Sequence, residues 1–372
     1  MVSRHGNEDA VSRLDTTMHV DLIQPTDRRW RDTLSMIPHD FYHLPEYVSL
    51  ESSRLRGTAV AAYVEEPGVR LVLPLIRRAI PGSDAFDVVS PYGYPSPIAQ
   101  FEDVALVRGA FSAVAQTLRE QGFVSMFVRL HPILELPDGA FTGLGTLIVH
   151  GQTVSIDLRQ NEAEQWRGIR ARYRTFLNRS ARLGHRAFMD DTGEHFDRFI
   201  TLYLETMRRH NAAPEYFFSR DYLSGLWQQL RGHVHLGVVE VNGLIVCAGL
   251  FGESSGIVQY HLSGTDEQAL ALSPLKILID YARCWATRRG ANVLHLGGGV
   301  GGAQDSLMHF KAGFSDRRHL FKTWGVVLDE QRYAELSGGA LRSTDFFPAY
   351  RGVTSVGSAP RCPPSEPRSL GL

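Results

Sequence analysis

The sequence contains few cysteines and few lysines. Its cysteines, Cys247 and Cys284 among them, lie far apart and form no Cys-x-x-Cys pair, so neither a disulfide framework nor a zinc knuckle is expected. Of 39 basic residues only Lys276, Lys311 and Lys322 are lysines, which singles out each of them in a chain that otherwise uses arginine. This cysteine usage fits a reducing compartment, and we expect the protein in the cytoplasm.

Long apolar runs are also absent. The runs at 71–76 and 244–250 are far shorter than the ~20 apolar residues of a membrane-spanning helix, and the polar start MVSRHGNEDAVSR lacks the apolar core of a signal peptide. With 43% hydrophobic residues and a net charge of -1, the chain is too apolar to be wholly disordered and too neutral to coat nucleic acid. Its 372 residues predict about two domains.

The middle of the chain shows one order of elements twice, namely a hairpin, a further strand, a long helix and a closing strand. Strands are predicted from β-branched and apolar runs, and helices from apolar residues spaced three and four apart. The first half is predicted to contain strands at 58–64, 69–77 and 86–90, a helix at 103–120 and a strand at 124–130. The second half is predicted to contain strands at 234–241, 244–251 and 257–263, a helix starting at 273–274 and a strand at 293–296.

This repetition predicts two similar α/β units with a boundary near residue 155. We expect a first domain at 18–155 and a second at 156–346, the second beginning with helices at 162–183, 194–210 and 219–230. Residues 1–17 and 351–372 are rich in Ser, Gly, Pro and charge, so both ends are predicted to be disordered.

An antiparallel meander followed by a loop, a helix and a parallel strand resembles the GNAT acyltransferase fold. Two such units in one chain resemble the Fem family of aminoacyl-tRNA-dependent transferases, and also BioF2-like acetyltransferase domains. Within the segment HFKAGF at 309–314, Lys311 falls where the F-K-x-x-F segment of Fem proteins has its lysine; the segments 90–97 and 203–222 match more weakly. The resemblance covers roughly 20–345 and implies an α/β (α+β) chain of two tandem GNAT-like domains. Because no sustained heptads are present, we expect no coiled-coil arm.

The resemblance implies a function as well as a fold. It implies transfer of an amino acid from aminoacyl-tRNA, as co-substrate and with no other cofactor, to the free amine of a peptide-bearing acceptor. That acceptor would be a peptidoglycan precursor or a peptide natural product, linked to a nucleotide or a carrier protein. An N-acyltransferase using acyl-CoA or an acyl carrier protein is an alternative, as is a non-catalytic module that binds a glycopeptide or tRNA.

The sequence offers no obvious nucleophile. It contains no G-x-S-x-G elbow, and Cys247 lies in an apolar run typical of a core strand. Direct attack of the acceptor amine on an ester that is already activated fits this absence, because the protein then mainly has to position two substrates.

Lys311 is the leading catalytic candidate. The resemblance gives the lysine of F-K-x-x-F the role of stabilising the oxyanion, and a compact ammonium with three donors suits that role. A solvated lysine at the edge of an element is the alternative. For the general base, His261 and Asp305 are rival candidates, since an imidazole titrates near neutral pH.

A run of arginines without acidic residues lies at 166–186. On the predicted helix, Arg167, Arg170 and Arg174 are spaced i, i+3 and i+7 and therefore share one face. Guanidinium groups on such a face can clamp the phosphates of tRNA or of a nucleotide-linked precursor. A solvated helix face is the alternative.

Four further residues are candidates for contact with substrate. Tyr260 and Ser263 lie near the end of the strand where GNAT folds open, Phe310 can stack on a base, and Tyr92 belongs to the 90–97 loop; core packing is the alternative for each. The glycine run at 297–302 lacks the P-loop pattern, so it is either a plain loop or a mobile linker that lets Lys311 close over substrate. The stretch 268–274 has no glycine and ends in a proline, which argues against tight binding of CoA there.

Overall fold

A mixed sheet of 13 strands runs through the molecule. The structure is a computed structural model that describes residues 18–339 and 346–352. Its strands are β1 (Asp21–Ile23), β2 (Thr58–Glu66), β3 (Val69–Ala79), β4 (Phe86–Val89), β5 (Ile98–Phe101), β6 (Phe123–Arg129), β7 (Thr146–Asp157), β8 (Arg186–Met189), β9 (Val234–Val241), β10 (Leu244–Ser254), β11 (Ile257–Thr265), β12 (Val293–Gly298) and β13 (Arg318–Val327). Its helices are α1 (Arg28–Met36), α2 (Pro45–Arg54), α3 (Val104–Glu120), α4 (Glu162–Gly168), α5 (Ala171–Arg182), α6 (Phe196–Arg209), α7 (Arg220–Gln229), α8 (Pro274–Arg288), α9 (Ser306–Lys311), α10 (Glu330–Leu336) and α11 (Ala349–Gly352).

The two halves of the sheet repeat one another. In the first half β2, β3 and β4 form an antiparallel meander, and β6 lies parallel to β4 after the crossover helix α3. In the second half β9, β10 and β11 form the meander, and β12 lies parallel to β11 after α8. The predicted hairpin turn at Asn242 and Gly243 has positive φ at both residues, as a type I′ turn requires. The predicted pair of tandem GNAT-like units is therefore confirmed.

The last strand of each half pairs with the other half. β7 follows the first half along the chain but pairs with β12, whereas β13 follows the second half and pairs with β6. β7 and β13 also pair with each other, so the sheet is continuous across both units. The boundary predicted near residue 155 falls inside β7, and the sequence analysis identified neither of these exchanged strands.

Three large apolar clusters fill the space around the sheet, and a small fourth cluster lies beside α10 and α11. One lies under α3 in the first half, a second lies under α8 in the second half, and a third joins the two halves through α2, α6 and α7. Within the described residues no helix is longer than the 17 residues of α3, so the predicted absence of a coiled-coil arm holds there. Nor does any described helix have the length and apolarity needed to cross a membrane.

The sheet opens at one point in each half. β11 pairs with β12 only from Ile257 to Gln259, and the two strands then diverge. Along β11 the pairing with β10 skips His261, and along β12 the pairing with β7 skips Leu296, so a bulge lies on each side of this gap. Bulges of this kind re-aim side chains near functional sites. We call this gap the second opening and the equivalent gap between β4 and β6, beyond Val89, the first opening.

Two local predictions need correction. The single helix predicted at 162–183 is wrong, because the chain breaks between α4 and α5: Arg170 is extended, with φ -52° and ψ 134°, and its N–H donates to the carbonyl of Gly313. The disordered ends predicted at 1–17 and 351–372 lie outside the described residues, except that Arg351 and Gly352 belong to α11.

Candidate active site

Lys311 lies in the second opening. It is the last residue of α9 and is only 7% exposed, and its Nζ donates to the carbonyl oxygen of Gly298 at 2.6 Å. The ammonium also lies 5.7 Å from the centre of the Tyr260 ring. Burial lowers the pKa of Lys311 from 10.5 to about 8, and the nearby Asp305 carboxylate partly opposes that shift. One hydrogen bond leaves two of the three ammonium protons for a substrate.

The aromatic residues of the F-K-x-x-F segment hold α9 in place. The ring of Phe314 is buried and packs edge-on against Tyr173 of α5 at 5.3 Å, and Phe310 lies 6.2 Å from the same ring. The Tyr173 hydroxyl donates to the carbonyl of Phe310. A Cβ atom on Gly313 would lie 2.2 Å from the Tyr173 ring, so glycine is needed at that position. Packing on Tyr173 therefore explains the spacing of the segment. The same packing fixes the direction in which the Lys311 side chain points.

Asp305 organises the loop that precedes Lys311. One carboxylate oxygen caps α9 by accepting the N–H of Met308 at 2.8 Å, and the other accepts the N–H of Val300 at 2.9 Å. Asp305 thus ties the glycine run at 297–302 to the start of α9. With both oxygens engaged by the backbone, its geometry suits positioning of Lys311 better than proton transfer.

His261 belongs to the interface between the halves. Its ring packs edge-on against Phe41, Tyr42 and Tyr47 and also contacts Tyr92, and its Nδ1 lies 3.1 Å from the Tyr42 hydroxyl. Burial lowers the pKa of His261 to about 4, so the ring is neutral near pH 7. Its Nε2 is buried and has no hydrogen-bond partner among the described residues. Tyr260, one residue earlier, packs instead with the second-half cluster beside Lys311, so the bulge separates these two neighbours.

The other predicted substrate contacts are divided between these two environments. The Ser263 hydroxyl pairs with that of Tyr260, and Phe310 is partly buried in the same cluster. Tyr92 lies on the other side: its N–H donates to Glu51 at 3.0 Å, and its ring packs against His261. The structure therefore brings Tyr260, Ser263 and Phe310 to Lys311, and it places Tyr92 with His261.

Sequence reasoning missed Tyr94, which reaches the second opening from the first half. Its ring lies 5.3 Å from His295 of β12 and 5.4 Å from Phe321 of β13. A Cβ atom built on Gly297 would lie 3.6 Å from the Tyr94 hydroxyl and 3.3 Å from Lys311 Nζ. The 90–97 loop was singled out in the sequence, but only the strand exchange brings its tyrosine to this point.

Two histidines near Tyr94 are occupied by structural hydrogen bonds. Both nitrogens of the fully buried His295 are engaged, by Gln259 at 2.9 Å and by Thr153 at 2.8 Å, and burial holds its pKa well below the usual range. Backbone N–H groups donate to Nδ1 of His131, so its Nε2 donates to the buried Asp40 carboxylate at 2.9 Å. Neither ring has a free nitrogen for a substrate.

A basic surface flanks the second opening on the side of α5 and α8. Arg170 and Arg172 both donate to Nε2 of His309, at 3.0 and 3.1 Å, and Lys276 lies 4.6 Å from the centre of the Tyr173 ring. Burial and the neighbouring Arg172 lower the pKa of Lys276. None of these four groups is paired with a carboxylate of the described residues. We call Arg170, Arg172, Lys276 and His309 the basic surface.

The predicted phosphate-binding set changes accordingly. Arg167, Arg170 and Arg174 were expected on one helix face, and the break at Arg170 removes that arrangement. Arg174 turns back to the carbonyl oxygen of Arg167 at 3.1 Å, and Arg167 lies along α4 with its Nε near the carbonyl of Ala163. Of the three, only Arg170 belongs to the basic surface. The other members of that surface are Arg172, Lys276 and His309. The absence of acidic residues from 166–186 could have indicated Arg172 as well.

A narrow cleft of about 20 Å³, close to the space of one water molecule, lies at the first opening. Its walls are mainly apolar, and the Lys322 ammonium and the Asp138 carboxylate pair across it at 2.6 Å. The buried hydroxyl of Ser96, two residues after Tyr94, lines the cleft and finds no hydrogen-bond partner in residues 18–339 and 346–352. Its lining residues are Ser96, Pro97, Leu130, His131, Leu134, Glu135, Leu136, Asp138, Phe141, Leu320 and Lys322.

Comparison with known proteins supports this description of the fold. The sequence profile of the acetyltransferase (GNAT) domain matches residues 167–311, a segment that ends at Lys311. The comparison with curated proteins found no match. The crystal structure of FemX is similar, with a TM-score of 0.64 and 13% identity over 86% of this chain and 99% of FemX. The predicted resemblance to the Fem family is thus confirmed as a likeness of fold.

Two other solved structures are similar at lower scores. The C-terminal domain of a putative lysylphosphatidylglycerol synthetase from Agrobacterium fabrum has a TM-score of 0.53 and 13% identity, over 88% of this chain and 94% of that one. L-PGS from Bacillus licheniformis has a TM-score of 0.52 and 14% identity, over 81% and 92%. Together with the GNAT profile, these likenesses support an acyltransferase.

Proposed function

We propose that the protein moves an amino acid from aminoacyl-tRNA to the free amine of a peptide-bearing acceptor and so forms a peptide bond. One observation carries the proposal: a buried ammonium, that of Lys311, lies in a gap of the sheet with a basic surface beside it. A buried cation with free donors suits an oxygen that becomes negative during the reaction. One of the similar structures is part of a putative lysylphosphatidylglycerol synthetase, whose named product carries an aminoacyl group.

The chemistry needs no covalent intermediate on the protein. The amine nitrogen of the acceptor attacks the ester carbonyl carbon, a C–N bond forms, and the carbonyl π electrons move to oxygen beside Lys311. The oxyanion then collapses, the C–O bond to the tRNA ribose breaks, and the released ribose oxygen takes a proton while the new amide nitrogen loses one. Cys247 offers no competing nucleophile, because burial raises the pKa of its thiol to about 12.

The basic surface suits the donor. Arginine binds phosphate bidentately through its planar fork, and lysine adds a compact charge. Here Arg170, Arg172 and Lys276 lie together without acidic partners. They also border α9, whose last residue is Lys311. Phosphates near the acceptor end of a tRNA would thus be held beside the residue that receives the ester.

The cleft at the first opening suits the acceptor. Lys322 would take a carboxylate of the acceptor, and the apolar walls of this narrow cleft would take a small apolar group beside it. The loop that carries Ser96 into this cleft also carries Tyr94 to the second opening. A peptide bound in the cleft would therefore need to extend only along this loop to bring its amine to Lys311. A cell-wall precursor or a peptide natural product has the required chemistry.

One observation favours a second candidate, N-acylation from acyl-CoA or an acyl carrier protein. The matching GNAT profile is described as an acetyltransferase domain. The helix that would receive the CoA pyrophosphate begins here with Pro274, after a 3₁₀ turn over Glu267–Leu272. Proline lacks an N–H group, so this helix start has one donor fewer for a phosphate.

The decisive experiment separates the two donors. Purified protein is incubated with a mixture of radiolabelled aminoacyl-tRNAs and a panel of candidate peptide acceptors, and acceptor-dependent loss of label from tRNA is measured. We expect one or a few amino acids to transfer, and we expect RNase treatment of the donor beforehand to abolish product. Product that forms from acyl-CoA and resists RNase would establish the second candidate. Binding of tRNA or acceptor without turnover would indicate the non-catalytic alternative.

A further inference from the structure

Tyr94 and Lys311 face the same point beside Gly297. That residue has φ +74°, a left-handed conformation that glycine adopts without strain. A Cβ atom on Gly297 would lie 3.3 Å from Lys311 Nζ and 3.6 Å from the Tyr94 hydroxyl. Apart from Gly297 and its chain neighbours, no other described heavy atom comes within 4 Å of that position. The point is thus bordered by two side-chain hydrogen-bond donors and by no carboxylate.

Both groups are suited to donate at this point. Desolvation of the buried Tyr94 phenol raises its pKa above the usual range, so its hydroxyl keeps its proton at any working pH. Lys311 already donates to the carbonyl of Gly298, which orients its ammonium and leaves two protons available. The Cβ position itself is a covalent bond length from the Gly297 Cα, so an oxygen would lie farther out on the same side, in van der Waals contact with that Cα and beside both donors.

The two donors come from different halves of the chain. Tyr94 belongs to the first-half loop and is held against His295 of β12 and Phe321 of the exchanged strand β13. Lys311 belongs to α9 of the second half, which packs on Tyr173. Preorganised donors of this kind stabilise an oxyanion because they need no reorganisation during the reaction.

We propose that Tyr94 is the second donor to the oxyanion, that Gly297 keeps the oxyanion position open, and that the complete oxyanion site exists only where the two halves meet. The inference rests on the proposed function for the identity of the ester. During the reaction the Tyr94 O–H and the Lys311 N–H both donate to the oxygen that receives the carbonyl π electrons. Neither gives up its proton, and both hydrogen bonds weaken when the C=O bond re-forms.

The test compares matched substitutions. Removing one oxyanion donor costs about 100-fold or more in kcat, so Tyr94→Phe should lower kcat for transfer by ~100-fold and leave both KM values within about twofold. Tyr63→Phe, at the far edge of the sheet, is the matched control and should leave kcat unchanged. A kcat effect of Tyr94→Phe below threefold, or an effect on KM alone, would overturn the inference.

Gly297→Ala tests the open position itself. Its methyl group would project between the two donors and take away the space that the oxyanion needs, so kcat should again fall by about 100-fold. Gly122→Ala is the control for backbone strain, because Gly122 has a similar φ of +79° and no neighbour within 4 Å of its Cβ position. Full activity of Gly297→Ala would contradict the proposal, and far-ultraviolet circular dichroism shows whether each variant folds.

A binding measurement separates this inference from the proposed function. An adenosine 3′-(1-aminoethyl)phosphonate monoester carries charged oxygens in a tetrahedral arrangement and needs no turnover. Titration calorimetry should show binding to the wild type and at least about tenfold weaker binding to both Tyr94→Phe and Gly297→Ala. If the wild type transfers no amino acid, the proposed function fails, yet this binding pattern would still establish the oxyanion site. Equal binding by all three proteins, or none by the wild type, would refute it.

Discussion

The two openings of the sheet share a backbone plan but differ in what fills them. The second opening holds the buried Lys311 ammonium, the Tyr94 hydroxyl and Gly297 between them. The first opening holds an apolar cleft whose one cation, Lys322, is paired with Asp138 at its mouth. The repeated fold thus supplies two gaps, and under the proposed function their different side chains suit a reaction in one gap and binding in the other.

Each opening is also completed by the other half. Tyr94 crosses from the first half to the second opening, and β13 of the second half brings Leu320 and Lys322 to the first. This reciprocity follows from the exchange of β7 and β13. Because each opening needs residues from both halves, neither half alone would contain a complete site.

The largest effect is expected when the ammonium is removed from the second opening. Lys311→Met keeps most of the apolar stem but loses the donor, so we expect kcat to fall by 100-fold or more, with thermal stability close to that of the wild type. Steady-state kinetics with both substrates measures the change. Lys322→Met, the same substitution at the first opening, should leave kcat unchanged. Equal losses of kcat in the two variants would mean that the openings do not differ in role.

The pH dependence of kcat should reflect the titration of Lys311. Burial lowers its pKa to about 8, so the catalytic ammonium is present below pH 8 and is lost as the pH rises through that value. Above pH 8 kcat should therefore fall about tenfold per pH unit. Lys311→Arg supplies the control, because a guanidinium stays charged throughout this range. Its activity should be lower but should lack this decline, and a parallel decline in both proteins would assign the titration to another group.

The sequence predicted the repeated unit but not how the units join. Hairpin turns, helix stops and apolar periodicity are local signals, so β9, β10, α3 and α8 were all found. β7 and β13 were missed because their pairing is between distant segments, and because the outer half of β7 is solvated and lacks a buried pattern. The break between α4 and α5 was missed because its cause is a tertiary hydrogen bond from Arg170 to Gly313.

The candidate site was predictable to the same extent as the fold: what a local motif marks was found, and what depends on tertiary packing was missed. Lys311 was found through its motif, and the structure explains that motif by packing on Tyr173. Tyr94 could not be assigned a role from the sequence, because that role depends on Gly297, about two hundred residues farther along the chain. Nor did strand periodicity separate Tyr260 from His261 as the structure does, since a bulge intervenes at that point.

A smaller effect is expected at the basic surface beside the second opening. Arg170→Ala combined with Arg172→Ala should raise KM for aminoacyl-tRNA by about tenfold at moderate salt and reduce the salt dependence by about one unit of slope per lost phosphate contact. Titrations between low and moderate salt measure that slope. Arg332→Ala, on α10, is the control and should leave it unchanged. An unaltered slope in the double variant would mean that Arg170 and Arg172 lie on a solvated surface and do not bind phosphate.

The smallest effect is expected at the first opening, on KM for the acceptor. Lys322→Met should raise KM for the acceptor about fivefold, because an exposed ion pair with a substrate carboxylate contributes ~1 kcal/mol, and binding that is equal in ground and transition states affects KM alone. Asp138→Asn breaks the same internal pair but frees the ammonium, so it should lower KM for the acceptor or leave it unchanged. If the pair only braces the cleft, both substitutions would raise KM alike. Opposite responses would therefore show that Lys322 binds the acceptor, and equal ones that it does not.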